Sequence, residues 1–171
     1  MQYFDIMNCI SSEGGKYVDI NNIVEKYSDM IVRVSFSYMK NMNDAEDVVQ
    51  DALLQLIKRK PNFESDSHEK AWLIRVAINI CKNRLKTAWF RKTLPISEGT
   101  YDFTPRENDA LQAVFQLPAK YRIVIHLFYF EGYSIAEIAK ILGYKESTVG
   151  SQLHRARKLL KFKLEEDADS E

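Results

Sequence analysis

Apolar residues recur three and four positions apart along most of this 171-residue chain, the spacing of a helix that buries one face. Ile20, Ile23, Val24, Tyr27, Met30, Ile31, Val34 and Tyr38 make a first stripe, and Ala45, Val48, Val49, Ala52, Leu53 and Leu56 a second, behind a cap-like Asp44. A third helix is expected from about His68 to Phe90, with Trp72, Leu73, Val76 and Ile80 turned to the core. Further helices are expected near 107–116, 119–130, 134–142 and 146–163. The run YRIVIHLFYF, residues 121–130, suits a buried strand as well as a helix, because it is rich in β-branched and aromatic residues. Strand alternation is otherwise nearly absent. Pro61, Pro95, Pro105 and Pro118 all fall in gaps or at a first helical turn. The pattern predicts an all-α fold: two small helical domains joined by a flexible linker, the second containing a helix-turn-helix. The boundaries read as an N-terminal extension at 1–19, a first domain at 20–92, a linker at 93–106, a second domain at 107–163 and an acidic tail at 164–171.

The helix-turn-helix rests on local chemistry. SIAEIAKILG, residues 134–143, opens with Ser134 and Glu137 at capping-box spacing and closes on Gly143, a residue suited to a left-handed stop. A short turn follows, and then STVGSQLHRARK, residues 147–158. Ala139, Gly143 and Val149 have the spacing of a small contact residue, a turn glycine and an apolar anchor. At about 100° per residue, Val149, Leu153, Ala156 and Leu160 form the buried stripe. Ser147, Ser151, His154 and Lys158 face outward, beside Gly150 and Arg155. Such a surface fits a major groove, with Arg155, Arg157, Lys158 and Lys161 available to phosphates. Gly150 weakens a helix interior by about 1 kcal/mol relative to alanine, and a bare position there would let the backbone approach DNA closely.

Charge sharpens this picture. The formal net charge is zero, yet residues 58–92 carry +7 and residues 140–163 carry +6, against −5 for residues 1–57, −3 for 93–139 and −5 for the tail. Two basic footprints on an acidic background suit a protein that holds two stretches of one polyanion. Nothing in the sequence resembles a secretory signal or a membrane-spanning helix. Cys9 and Cys81 match no metal or redox spacing, and His68, His126 and His154 are scattered, so no metal or other cofactor is expected. There is no catalytic dyad or phosphate loop, and an enzyme is not expected.

EIAKILG followed by STVGSQLHRARKLL resembles the second DNA-binding region of bacterial RNA polymerase sigma factors, most closely the extracytoplasmic-function (ECF) subfamily. YSDMIVRVSFSYMKNMNDAEDVVQDALLQLI and AWLIRVAINICKNRLK are similar to that subfamily's first conserved domain. The resemblance implies sigma region 2 over 20–92 and sigma region 4 over 107–163. It implies promoter-specific initiation with two partners: core RNA polymerase, through its large clamp subunit and its flap, and promoter DNA. Polymerase contacts would come from Glu46, Asp47, Gln50, Asp51 and Leu54, the last an unusual leucine on an acidic outer face. Minus-ten contacts would come from Asn79, Lys82, Asn83, Arg84 and Lys86, with Trp89 and Arg91 near the helix end. The loop PNFESDSHEK, residues 61–70, lies where the subfamily grips a flipped minus-ten base. Minus-thirty-five contacts would come from Ser147, Thr148, Gly150, Ser151, His154, Arg155, Arg157 and Lys158. Such factors act in the cytoplasm, at the nucleoid, and are usually held by an anti-sigma factor, often membrane-anchored.

The chain also departs from the family. Where the recognition helix commonly reads glycine-threonine-valine-lysine-serine-arginine, Ser147, Gly150 and Gln152 replace the glycine, lysine and arginine. Asn83 stands where an acid is frequent. Two rival readings remain in view. A free-standing helix-turn-helix regulator would leave the Leu54 face unexplained, and a helical adaptor would leave both basic blocks unexplained.

Overall fold

The computed structural model describes residues 20–91 and 113–168. The expected N-terminal extension, the linker at 93–106, the start of the helix near 107 and the last tail residues lie outside them, as do the side chains of Trp89 and Arg91. All regular structure among the described residues is helical: α1 (Ile20–Met39), α2 (Met42–Arg59), α3 (Asp66–Arg91), α4 (Ala119–Ile125), α5 (Ile135–Leu142) and α6 (Glu146–Ala168). Residues 113–116 are also helical. The all-α expectation holds, and YRIVIHLFYF is helix: α4 runs on into a turn of π-helix, His126–Phe130. The wider π turn ends where Glu131 N–H donates to His126 O and Gly132 takes φ 74°.

Local signals explain most helix ends. Ser134 and Glu137 form the expected capping box, and Gly143 takes φ 70°. The cap of α2 differs from expectation: it is Asn41, whose side chain accepts from the Asp44 amide, while Asp44 sits inside the first turn. Lys40, at φ 56°, forms the abrupt corner after α1 and leaves Asn41 extended at the cap position.

The α1–α3 bundle buries Ile31, Val34, Val48, Ala52, Leu73 and Ala77 completely. Ile74, Ile78 and Cys81 are buried as well, because α3 is covered on two sides, by α1 and α2 and by α5. A helix covered twice cannot show one clean apolar stripe. Burial pushes the Cys81 thiol up to about 12, which keeps it protonated and unreactive. In the helix-turn-helix, Val149, Leu153 and Ala156 are buried and Leu160 packs against the same core, as its period requires.

The two helical groups are packed together, and one cluster of buried apolar residues runs through both. Their junction is tied by charge. Arg122 of α4 is 3 % exposed and has no carboxylate partner among the described residues. Its guanidinium donates to the Ser37 carbonyl, to Tyr38 O at 3.4 Å, and to Phe115 O and Leu117 O at 2.8 Å each. Ser37 and Tyr38 end α1, whose last carbonyls lack helical partners and carry partial negative charge. Burial lowers the Arg122 pKa to about 10, so the group stays charged at neutral pH.

Close by, the Glu131 side chain is 4 % exposed. It faces Lys70 of α3 at 2.9 Å, Arg33 of α1 at 3.8 Å and His126 of its own turn at 3.5 Å. Burial alone would raise its pKa, but His126 and Lys70 outweigh that and hold it at about 2.

Two outcomes follow from these ties. Arg122→Ala strands several buried carbonyls and should lower stability by on the order of 3 kcal/mol in urea unfolding. A loss below about 1 kcal/mol would show that water replaces the guanidinium without penalty. Because the Glu131 pKa is depressed from 4.5 to about 2, its contribution is present above about pH 4.5 and disappears as pH falls toward 2. That contribution is on the order of 3 kcal/mol. Glu131→Gln should therefore flatten the decline of the urea midpoint between about pH 5 and pH 3, and parallel declines would remove Glu131 from the balance.

Candidate nucleic-acid and polymerase interfaces

The outer face of α2 carries the residues expected to meet polymerase. Glu46, Asp47 and Gln50 are exposed, Asp51 is half-exposed, and Leu54 is 41 % exposed. Leu54 is the one large apolar side chain of α2 among those left exposed in the described residues, and around the helix acids, Glu46 and Asp51, stand on either side of it.

On α3, helical period sorts the expected minus-ten contacts. Asn79, Lys82, Asn83 and Lys86 fall on one side, and Arg84 is about 140° around the helix from Asn79. Arg84 instead reaches α2, pairing with Asp51 at 2.6 Å and Asp47 at 3.4 Å. It thus joins α3 to the outer face of α2 and stands apart from the other residues expected to meet the minus-ten element. Arg75 lies on the same side of α3 as Asn79, four residues before it. It is exposed and donates to Lys140 O of α5. Its i, i+4 relation to Asn79 is the sequence signal that identifies it. Lys82 stacks over the Tyr144 ring, in the turn of the helix-turn-helix, at 5.2 Å.

The loop before α3 is anchored. The Ser65 hydroxyl accepts from the His68 amide and caps the helix, and Asp66 pairs with Lys26 at 2.5 Å. Phe63 stands edge-on to His68 and Trp72.

On α6, Ser147, Thr148, Ser151, His154, Arg155, Arg157 and Lys158 are all exposed. The Ser151 hydroxyl donates back to Ser147 O at 2.8 Å. Arg157 lies over the Phe128 and Tyr129 rings, with Nε donating to the Tyr129 hydroxyl at 2.8 Å. The aromatic shoulder Phe128–Tyr129 lies in the run 121–130, whose sequence reads only as helix or buried strand. A Cβ built at Gly150 meets nothing within 4 Å, so no packing inside the chain demands that glycine. Among the described residues no group of three or more His, Cys, Asp or Glu side chains could hold a metal ion. No described helix is long and apolar enough to cross a membrane.

A three-helix bundle with an acidic, leucine-bearing face, packed on a helix-turn-helix module with a basic second helix, has the architecture of a helical DNA-binding protein. Comparison with known proteins makes the class specific. The sigma-70 region 2 family matches residues 23–91 and the sigma-70 region 4 family residues 108–160. The chain is 31 % identical over 150 residues to the ECF RNA polymerase sigma factor SigM of Mycobacterium tuberculosis, covering 84 % of this chain and 76 % of that one. It is 32 % identical over 138 residues to the RNA polymerase sigma factor SigV of Bacillus subtilis, covering 77 % and 82 %. Its fold superposes on the sigma factor RpoE of Bartonella quintana, solved with the anti-sigma factor NepR, with a TM-score of 0.69 and 25 % identity over 86 % of this chain and 97 % of that one. The chain belongs to the ECF sigma factors, a family of non-enzymatic transcription initiation factors that bind core RNA polymerase and promoter DNA.

The different settings of Lys82 and Arg84 separate them experimentally. Lys82→Ala should lower the slope of log affinity against log salt for promoter binding by about 0.9, one phosphate contact. Arg84→Ala should leave the slope unchanged and cost at most about 1 kcal/mol of stability, as exposed pairs do. Equal slope changes would return Arg84 to the DNA face.

Proposed function

We propose that the outer face of α2, centred on Leu54 with Glu46, Asp47, Gln50 and Asp51, docks the large clamp subunit of core RNA polymerase. Asn79, Lys82, Asn83 and Lys86 of α3 then meet the minus-ten element, and the exposed face of α6 from Ser147 to Lys158 meets the minus-thirty-five element. The corresponding division is region 2 at 20–92, a linker at 93–106 and region 4 at 107–163. The observation that carries this reading is the opposition of faces on the two domains: a solvated leucine among acids on α2, and hydroxyls and cations on α6.

The two promoter elements lie about 25 base pairs apart, or roughly 85 Å at about 3.4 Å per pair. With Lys82 stacked on Tyr144, α3 and the helix-turn-helix are far too close to hold both at once. Promoter binding therefore requires the two groups to separate. An anti-sigma factor that holds the groups together would act on the same equilibrium, and the likeness to RpoE of Bartonella quintana supports a partner of that kind. The site of action follows as the cytoplasm, where polymerase and promoter meet.

Reconstituted transcription tests the assignment. The chain with core polymerase should initiate from promoters that it selects out of a randomised duplex pool. Leu54→Asp should weaken polymerase binding by at least tenfold, as a lost interface anchor does, without moving the urea midpoint by more than about 0.5 kcal/mol. Tight duplex binding by the chain alone, with no initiation beside core polymerase, would favour a free-standing regulator.

A further inference from the structure

A cleft of about 290 Å³ opens between the start of α4 and the exposed face of α6. Lys120 and Tyr121 line it from α4, and Ser147, Thr148, Ser151 and Arg155 from α6. Gln152 completes the lining, its carboxamide oxygen buried and without a hydrogen-bond partner. No carboxylate is in the lining, and among the described residues neither Lys120 nor Arg155 has an acidic partner. The Lys120 ammonium sits 4.9 Å from the Tyr121 ring centre. The neighbouring Arg155, with Lys120, holds the Tyr121 phenol pKa below its ordinary value. The phenol carries an O–H that can donate to an anion in the cleft.

We propose that this cleft is the seat of a DNA backbone phosphate flanking the minus-thirty-five element, and that Lys120 and Tyr121 are contacts of that phosphate together with Arg155. The inference rests on α6 being the helix that enters the major groove. Its chemistry is that of an anion site: two cations, a phenolic donor and hydroxyls, with no competing acid. A half-turn of the Gln152 carboxamide exchanges its stranded oxygen for N–H donors.

Geometry places the seat where a backbone must pass. A helix with its side chains is about 10–12 Å across and fills a major groove about 12 Å wide, so a phosphate strand borders each flank. Arg155 and Arg157 are two residues apart, about 200° around the helix, and lie on opposite flanks. One flank is the Lys120–Tyr121–Arg155 cleft. The other is Arg157 on its aromatic shoulder, Phe128 and Tyr129.

The test uses the chain assembled with core polymerase, on a duplex selected by that holoenzyme from a randomised pool. Lys120→Ala should lower the salt slope by about 0.9. Tyr121→Phe, which keeps the ring, should weaken binding by about tenfold with little change of slope. Replacing single backbone phosphates by neutral methylphosphonates should reveal one position beside the minus-thirty-five element that costs the wild type affinity and costs Lys120→Ala nothing further. An unchanged slope for Lys120→Ala overturns the proposal, as do methylphosphonate losses that add in full at every position, since a merely structural lysine would give that result. If the wild type fails to initiate with core polymerase, the sigma assignment fails. The slope of the chain alone on random-sequence duplex then decides the phosphate seat by the same criterion.

Discussion

The arrangement depends on one buried cation, Arg122, that has no acid to pair with among the described residues. An unpaired guanidinium inside a protein would cost several kcal/mol unless hydrogen bonds and partial charges replaced its water. Here the replacement is a ring of backbone carbonyls from the end of α1 and from residues 115–117. Those carbonyls need donors as much as the guanidinium needs acceptors, because the last turn of a helix leaves them unpaired. Each side resolves the other's deficit, and only when the two helical groups are in contact. Carbonyls from α1 tie it across the junction.

Glu131 makes the reciprocal contact. An acid on the π turn reaches Lys70 and Arg33 of the first bundle, while a cation on α4 reaches the end of α1. Both lie beside the apolar cluster shared by the two groups, where low polarity strengthens each interaction and makes its loss expensive. Such a junction is specific and breakable. Its apolar part supplies proximity, and its polar part fixes the orientation that sets Lys82 against Tyr144 and Arg75 against Lys140.

The features legible in the sequence were those whose physics is local. The capping box of α5, the left-handed Gly143 and the buried stripe of α6 depend on residues three to eight apart, and all stand where the spacing puts them. Asn41 and Asp44 show the limit of local reading: both are good caps, three residues apart, and the left-handed corner at Lys40 decided between them. Ile74 and Ile78 escaped notice because α3 is covered by α5 as well as by its own bundle. Arg122 was illegible for a deeper reason. Its acceptors on α1 lie 84 and 85 residues away and are backbone carbonyls, which carry no side-chain signature. The separation of Arg84 from the side of α3 that carries Asn79, Lys82, Asn83 and Lys86, by contrast, was readable from period alone.

A net charge of zero also takes on physical meaning once the pairs are known. The basic block of α3 looks like a polyanion footprint in sequence, yet much of it is engaged inside the chain. Lys70 is held by Glu131, Arg75 by a carbonyl of α5, Lys82 by the Tyr144 ring and Arg84 by Asp47 and Asp51. Three of these four contacts cross the junction between the helical groups; only the Arg84 pairs stay inside the first bundle. Opening the junction therefore releases Arg75 and Lys82 on the side of α3 that carries Asn79, and Lys70 on the opposite side, about 180° around the helix. A polyanion that met these cations would gain them in full only with the junction open, and such a difference in contacts would favour the open form. If the Arg75 and Lys82 side of α3 meets DNA as proposed, self-packing and DNA draw on the same two cations, and the junction sets how many of them a promoter can reach.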